Sequence, residues 1–316
     1  MKITTLVDNL VYPRNLLAEH GLSFYIEIAA NKTLFDCGQS SIFAQNAYNL
    51  GIDLKEIENV IISHGHYDHT GGLEKFLEIN KTAKIYVKKE ALLEKFNHGR
   101  YIGMPKALFT NNSDRDLTNN NDRDLTNNSD RDLTNNSDRD LTNNNDRELT
   151  ITRERVIFPT EQITQICDSV FLVSFQDNKN VPFKENENIP NKTTGFTIFQ
   201  NEEHIKDYFN DEQYLVYIND NKISLVTGCS HRGILEIIAL VKKLFNLPIY
   251  EIIGGLHTQK QSNEEIEALA QEFNKSSIQS LIINHCTGVD AFAILKSNFK
   301  GNVRYNYTGN HFKTTV

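Results

Sequence analysis

The second half of the chain repeats one local design three times: a short run of buried-strand residues, a polar turn that contains glycine, and a helical stretch. The strand runs cover residues 223–226, 249–253 and 280–283, and the helical stretches cover 233–245, 263–273 and a third that ends at 299. Strands that alternate with helices favour a layered α/β fold. Such folds place ligands at the carboxyl ends of their strands, so we expect a functional site where the three turns meet.

The first half shows the same alternation in shorter pieces. Strands are predicted at 23–29 and 32–36, joined by a hairpin turn at Ala30 and Asn31, and a helix follows at 42–50. The next predicted elements are a strand at 60–62, a helix at 73–79, a strand at 84–87 and a helix at 90–96, before strands resume at 156–159 and 169–174.

Residues 111–150 interrupt this pattern with a repeated octapeptide, Asp-Arg-Asp-Leu-Thr-Asn-Asn-Ser, in which Asn sometimes replaces Ser. Because only one residue in eight is apolar, we expect a solvated, disordered insert that the fold can do without. A stacked solenoid is the alternative, but single leucines offer it almost no core. The rest, roughly 275 residues, is enough for one domain across 1–316.

The charge of the chain limits its partners. Of the formal net charge of −8, the repeat contributes −5 through five Arg and ten acidic residues, which leaves −3 elsewhere. A nucleic-acid partner is therefore not expected, whereas a small anionic substrate is compatible with local positive groups. The sequence leaves the oligomeric state open.

Neither the cysteines nor the N-terminus indicates export. Cys37, Cys167, Cys229 and Cys286 are widely spaced without a Cys-x-x-Cys pair, so neither a disulfide framework nor a zinc ribbon is predicted. Residues 1–9 do not have the pattern of a signal peptide, and no apolar run approaches membrane-spanning length. We expect a cytoplasmic protein that does not contact membranes.

Three histidines and a carboxylate are concentrated directly after the predicted strand at 60–62, as His64, His66, Asp68 and His69. In extended backbone the side chains of His64 and His66 leave on the same side, so both can reach one ion, and the following turn can direct Asp68 and His69 at a second. Imidazole and carboxylate suit Zn, Fe, Mn or Co. We expect one or two divalent ions, with Zn as the first choice.

This His-x-His-x-Asp-His pattern resembles the signature of the metallo-β-lactamase superfamily. The resemblance implies an αββα sandwich with metals at one edge, and further ligands from later strand ends. It implies Cys229 as a bridging ligand, His257 as the last histidine ligand, and His231 as a ligand or a support for one. The third ligand of the first ion has no clear match, and the open choices are His204, Asp207, Asp211 and Glu212.

Further blocks narrow the resemblance to the branch that contains 7,8-dihydropterin-6-methyl-4-(β-D-ribofuranosyl)aminobenzene-5'-phosphate synthases. The blocks cover residues 6–9, 19–23, 34–38, 63–73, 228–234, 254–257 and 285–288. The resemblance thus covers nearly the whole chain outside the repeat. It implies either hydrolysis or the transfer that the branch name describes, with a pterin-like or phosphorylated substrate.

Several side chains are predicted to act on the substrate. Asp68, as a ligand that also touches water, would orient that water and take up its proton. Thr287 and Gly288 open a helix whose N–H groups suit a phosphate or carboxylate, with Arg232 as a cationic clamp and His285 as a further contact. The alternatives are that Thr287 only caps the helix and that Arg232 is a surface side chain.

Two classes of function remain open at this point. The first is a metal-dependent hydrolase or transferase that acts on a small anionic substrate. The second is a metal-holding protein that binds or senses a small ligand without turnover, which the unmatched third ligand would permit.

Overall fold

The computed structural model describes residues 1–105, 154–176 and 193–316. The octapeptide repeat at 111–150, with the disorder predicted for it, lies outside these residues. Within the described residues no helix is both long and apolar enough to cross a membrane.

The elements are numbered in chain order. The strands are β1 (Lys2–Val7), β2 (Ser23–Ile28), β3 (Asn31–Phe35), β4 (Asn59–Ile61), β5 (Lys84–Tyr86), β6 (Glu94–Asn97), β7 (Arg100–Tyr101), β8 (Val156–Ile157), β9 (Ile163–Cys167), β10 (Val170–Ser174), β11 (Phe196–Gln200), β12 (Glu203–Lys206), β13 (Gln213–Asn219), β14 (Lys222–Thr227), β15 (Ile249–Gly254), β16 (Ser280–Ile283), β17 (Asn302–Tyr305) and β18 (His311–Lys313). The helices are α1 (Ile42–Asn49), α2 (Tyr67–Thr70), α3 (Leu73–Ile79), α4 (Ile234–Phe245), α5 (Asn263–Asn274) and α6 (Val289–Asn298), and short 3-10 turns cover Leu54–Glu56, Lys89–Leu92 and His285–Thr287.

Two seven-stranded sheets form the centre of the molecule. The first has the order β18-β1-β2-β3-β4-β5-β8 and the second β17-β16-β15-β14-β13-β10-β9. Their facing surfaces bury one apolar cluster, in which Phe24, Phe35 and Ile61 of the first sheet meet Leu215 and Val226 of the second. Each such side chain contributes about 1.5–3 kcal/mol when it is fully buried, so this layer holds the two sheets together.

Helices cover the outer face of each sheet. Phe43 of α1 and Phe76 of α3 pack with strand residues of the first sheet, and α4, α5 and α6 pack on the second. The side chains of neighbouring strand residues point to opposite faces, which lets one strand serve both the inter-sheet layer and the helix layer. The predicted αββα sandwich is confirmed.

The strand register brings the loops of both sheets to one edge. In the second sheet β14, β15 and β16 are parallel, and Thr227, Gly254 and Ile283 are neighbours at their carboxyl ends. In the first sheet Phe35 of β3 pairs with Ile61 of β4 in the same way. Turns that follow these strands therefore meet, as the strand and helix pattern predicts.

The helix predicted over 90–96 is wrong. A 3-10 turn at Lys89–Leu92 is followed by β6, which belongs to a small sheet with the order β12-β11-β6-β7. In that sheet Lys95 pairs with Ile198, more than a hundred residues later in the chain. A local pattern could not show this long-range pairing, which overrides the helical preference of the segment.

Candidate metal centre

The turns at the shared edge bring together nine donor side chains. They are His64, His66, Asp68 and His69 after β4, Cys229 and His231 after β14, His257 after β15, and His285 with Cys286 in the 3-10 turn after β16. Their ligand atoms form interlinked groups in which every member lies within 4.8 Å of the others.

The first group contains His64, His66 and His231. Nε2 of His64 lies 3.0 Å from Nδ1 of His66, and the ring of His231 is 4.8 Å from each of the other two rings. Phe209 stacks on His231 at 4.3 Å and closes the outer side. Nε2 of His66 is buried and has no hydrogen-bond partner in the described part of the chain. A buried nitrogen of this kind is costly unless a ligand completes it.

The second group contains His64, His69 and Cys229, with Nε2 of His69 at 3.2 Å from the Cys229 sulfur. Asp36 fixes its geometry, because one carboxylate oxygen lies 2.7 Å from Nδ1 of His69 and accepts a hydrogen bond from the Ser63 hydroxyl at 2.7 Å. A carboxylate behind a histidine sets which nitrogen points forward.

The third group surrounds Asp68. Its Oδ2 lies 3.3 Å from Nε2 of His20, 3.3 Å from Nε2 of His285 and 3.6 Å from Nε2 of His69. Asn9 lies behind two of these rings, 3.0 Å from Nδ1 of His285 and 3.3 Å from Nδ1 of His20. His20 is half-exposed and Asp68 is buried, so this group reaches from the interior towards the surface.

Burial and neighbouring charges set the protonation of these rings. Burial lowers the pKa of His64 and His231 well below the ordinary value, and burial with the nearby Lys95 charge lowers the pKa of His66 to about 3. These three imidazoles are therefore neutral and offer lone pairs, which is the form that binds metal.

Neighbouring charges shift the pKa values of His69 and Asp68 in favour of their charged forms. Burial opposes a charge on His69, but the Asp68 and Asp36 carboxylates outweigh it and raise its pKa to about 9. Burial also opposes the Asp68 anion, yet the positive field of His69 and contacts from His20 and His285 hold the pKa of Asp68 well below its usual value. The carboxylates that favour a proton on His69 also favour a cation beside it, so the donor set fits a divalent ion.

The backbone at this edge is strained. Asp36, Ser230, His257 and His285 have positive φ angles of 60°, 62°, 54° and 52°. Residues with side chains adopt this region at a cost of order 1–3 kcal/mol, and such residues concentrate at functional sites. These four residues follow four different strands, β3, β14, β15 and β16, whose ends meet at this edge.

Gly65 allows the histidine loop to lie against its neighbour. A Cβ atom at this position would collide with the backbone carbonyl of Ala91, which cannot move aside as a flexible side chain would. The residue between His64 and His66 must therefore be glycine.

Comparison with known proteins identifies the family. The model of the metallo-β-lactamase superfamily matches residues 17–140. The solved structure of Tm1679, a metal-dependent hydrolase of the β-lactamase superfamily, is 31% identical, with a TM-score of 0.73 and coverage of 100% of both chains. This chain belongs to the metallo-β-lactamase superfamily.

Two curated relatives within this superfamily come from Methanocaldococcus jannaschii. One, an uncharacterised protein, is 27% identical over 311 residues, which cover 97% of this chain and 98% of the relative. The other, 7,8-dihydropterin-6-methyl-4-(β-D-ribofuranosyl)-aminobenzene-5'-phosphate synthase, is 24% identical over 324 residues, which cover 99% of this chain and 96% of the relative. The resemblance to this branch of the metallo-β-lactamase superfamily thus covers the whole chain.

The sequence leaves four residues open as the third ligand of the first ion. In the structure they do not belong to the donor groups, and each has other partners. His204 is exposed and its ring packs on Phe96 at 4.7 Å. Asp207 and Asp211 both accept hydrogen bonds from Lys95, at 2.7 and 3.0 Å. Glu212 accepts hydrogen bonds from the backbone N–H groups of residues 231 and 232. The structure places His231 beside His64 and His66 instead.

The structure also gives His257 and His285 specific neighbours. His257, expected as the last histidine ligand, groups with Cys229 and Cys286, whereas His285, expected to contact substrate, lies beside Asp68. Asp36 and Cys286 are absent from the sequence-based site. Both lie within sequence blocks that carry the family resemblance, 34–38 and 285–288, but only the folded structure shows which side chains they contact.

The predicted anion-binding groups are engaged by the protein itself. Arg232 is buried, donates to the Tyr208 carbonyl at 3.1 Å and the Asn210 side chain at 3.0 Å, and lies over the Phe175 ring. It is therefore not the surface side chain of the alternative interpretation.

The N–H groups of the turn before α6 are likewise used within the protein. The N–H groups of Thr287 and Gly288 donate to the carbonyls of Asn284 and His285. Gly288, not Thr287, is the N-cap of α6, and the Thr287 hydroxyl accepts a hydrogen bond from the Leu256 N–H at 3.1 Å. The interpretation of Thr287 as a simple cap is wrong, because its side chain ties the turn to the loop after β15.

Proposed function

We propose that this protein is a metal-dependent enzyme that hydrolyses a small anionic substrate or transfers a group from it. One observation carries the proposal: imidazole, thiol and carboxylate donors from four strand ends lie within 4.8 Å of one another in linked groups. Such a cluster of buried donors is costly to assemble without a cation to hold.

The residues proposed to hold one or two ions are the histidines of the first group together with Asp68, His69 and Cys229. Zn²⁺ suits the nitrogen and sulfur donors best, and Fe or Mn suits the carboxylate and imidazole part. A bound divalent ion supplies Lewis acidity, which lowers the pKa of water and withdraws charge from a substrate oxygen.

Asp68 is the proposed proton acceptor. Its low pKa keeps the carboxylate ionised at neutral pH, so it can accept a hydrogen bond from a water molecule or a substrate hydroxyl and orient it. The half-exposed His20, 3.3 Å away, lies between this carboxylate and the surface. Asp36 acts indirectly by holding His69 in place.

The substrate class is proposed from the chemistry of the edge and from the relatives. The half-exposed ring of His20 lies beside Asp68 on the side that reaches the surface, where it can turn from Asp68 to donate a hydrogen bond to a phosphate or carboxylate of the substrate. One relative is named a hydrolase and another a dihydropterin-aminobenzene phosphate synthase, which supports phosphorylated and pterin-like compounds as the first substrates to test.

A binding or sensing protein without turnover is less well supported. That alternative depended on a missing third ligand, and the proximity of His231 to His64 and His66 supports it as that ligand. No contact among the described residues favours this alternative.

The test is a screen with the metal content controlled. Purified protein is stripped with a chelator, reloaded with Zn²⁺, Mn²⁺, Fe²⁺ or Co²⁺, and assayed on phosphate esters, lactones, thioesters and pterin pyrophosphates. We expect turnover that chelation abolishes and reloading restores. In Asp68→Ala, turnover should fall by about 10²–10⁴-fold, because the proton acceptor is lost.

The matched control is Asp220→Asn, which removes an exposed negative charge in the turn between β13 and β14, and Asn tolerates the left-handed backbone at this position. Tight binding of a screened compound that persists without metal and is never followed by turnover would contradict the proposal.

A further inference from the structure

A sulfur-rich group lies beside the histidine groups at the same edge. Three neighbouring parallel strands, β14, β15 and β16, each deliver one member: Cys229, His257 and Cys286. Their two sulfur atoms and the histidine nitrogen lie within 4.8 Å of one another. The His-x-His-x-Asp-His cluster contributes none of these residues.

Local features of the backbone bring these three side chains together. A Cβ atom at Gly255 would lie 2.5 Å from both the Cys286 sulfur and the Gly228 carbonyl oxygen, so glycine at this position leaves room for the sulfur and for the neighbouring backbone. His257 adopts its position with a φ angle of 54°, in the left-handed region that side chains disfavour. Nδ1 of His257 is buried and lacks a hydrogen-bond partner within residues 1–105, 154–176 and 193–316.

The chemistry of the donors selects the kind of ion. Two thiols and an imidazole suit thiophilic ions such as Zn²⁺, whereas Mg²⁺ and Ca²⁺ require oxygen ligands. Binding releases one proton from each thiol, and the two thiolates neutralise the charge of a divalent ion. A neutral complex is compatible with burial, and both Cys229 and Cys286 are buried.

We propose that Cys286 is a further metal ligand, which together with Cys229 and His257 binds a thiophilic ion such as Zn²⁺. This inference rests on the proposed function, in which Cys229 is already a donor, and adds His257 and the Cys286 thiol as ligands. Cys229 also belongs to the group with His64 and His69, so its sulfur connects the new site to the histidine centre.

A purely structural role for Cys286 is the competing explanation. Its thiol lies 3.4 Å from the Cys229 carbonyl and can donate a weak hydrogen bond there. In that case Cys286 would contribute nothing to metal binding.

Cobalt spectroscopy separates the two explanations. Stripped protein is titrated anaerobically with Co²⁺, and the sulfur-to-cobalt charge-transfer absorption is recorded. We expect a band in the wild type that falls by about half in Cys286→Ser and in Cys229→Ser and disappears in the double variant, since each thiolate contributes to it. Cys167→Ser, which changes a half-buried cysteine in β9 outside the group, should leave the band unchanged.

A band that is absent from the wild type, or that is unchanged in Cys286→Ser, overturns the inference. A band that is unchanged in Cys286→Ser but lost in Cys229→Ser would leave the proposed function standing, whereas no cobalt binding at all would contradict both, so the two failures can be told apart.

X-ray absorption of the zinc-loaded wild type guards against variants that do not fold. Sulfur neighbours at about 2.3 Å from zinc, in the amount of two per chain, support the site, and one or none refutes it.

Discussion

Asp36 shows how one side chain can organise several donors. One of its oxygens accepts a hydrogen bond from the Ser63 N–H at 2.7 Å, and the other accepts from the Ser63 hydroxyl and lies 2.7 Å from Nδ1 of His69. The side chain is fully buried and therefore rigid. It joins the end of β3 to the histidine loop after β4, and it turns Nε2 of His69 towards Cys229.

Removing the negative charge of Asp36 should weaken metal binding without displacing a ligand. We expect Asp36→Asn to lower the affinity for Zn²⁺ by about 10–100-fold, as is usual for residues that orient a metal-binding histidine. Asn also tolerates the left-handed backbone of this position. Isothermal titration of stripped protein measures the effect, with Asp220→Asn as the control, and an unchanged affinity in Asp36→Asn would contradict this role.

The residues of the site differ in how far the sequence reveals them. His64, His66, Asp68 and His69 are readable because they are adjacent in the chain, so local geometry alone brings them together. The placement of His285 beside Asp68 is not readable, because it depends on how the first sheet, which contains β4, packs on the second, which contains β16. The same holds for Asp36, whose partners are separated from it by α1 and a loop.

At the scale of elements, a chain of hydrogen bonds connects the small sheet to the loop that carries His64 and His66. Lys95 of β6 is buried and donates to Asp207 at 2.7 Å and to Asp211 at 3.0 Å. The second oxygen of Asp211 accepts a hydrogen bond from the Gly65 N–H at 2.7 Å. The two carboxylates outweigh the cost of burial and raise the pKa of Lys95, so the ammonium stays charged and the small sheet is tied to the loop.

Loss of the Lys95 charge should therefore destabilise the whole fold. We expect Lys95→Met to lower the free energy of unfolding by about 3–5 kcal/mol, because two buried carboxylates lose their cation. Urea denaturation at a fixed metal concentration measures this. Lys84→Met, at an exposed position in β5, is the matched control and should change stability little. Equal stability of both variants would show that the ion cluster does not hold the sheet.

The elements were predictable where local periodicity and burial agree. The helix at Leu73–Ile79 and the strand at Ser280–Ile283 have the predicted bounds, because each is a compact run with clear turn residues around it. In the segment that forms β6, periodicity and burial do not agree, since its buried residue is a lysine. A pattern method treats Lys95 as a surface residue, and only its pairing with Asp207 and Asp211 explains its burial.

At the scale of the whole molecule, the repeat falls between elements that belong to different sheets. The small-sheet strand β7 precedes it, and β8 follows it and pairs in parallel with β5 in the first large sheet. With one leucine in eight residues, the repeat has no pattern that could extend either sheet.

Deleting residues 111–150 should consequently leave the fold and its metal binding intact. A shorter connection also costs less entropy to close, by about 0.6 kcal/mol for each halving of its length. Circular dichroism, thermal unfolding and metal content compare the deletion with the full chain and with a chain whose repeat is replaced by Gly and Ser at equal length. Loss of cooperative unfolding in the deletion alone would show that the repeat contributes to the fold.

The central claim is that the donor groups at the shared strand edge hold a divalent ion. Elemental analysis of protein stripped and then reloaded with Zn²⁺ tests it most directly, with the His64→Ala/His231→Ala double variant prepared in parallel. We predict stoichiometric zinc in the wild type and a large loss of zinc in the double variant, which remains folded by circular dichroism. A wild type that stays free of metal after reloading, or a double variant that binds as much zinc as the wild type, would contradict the account.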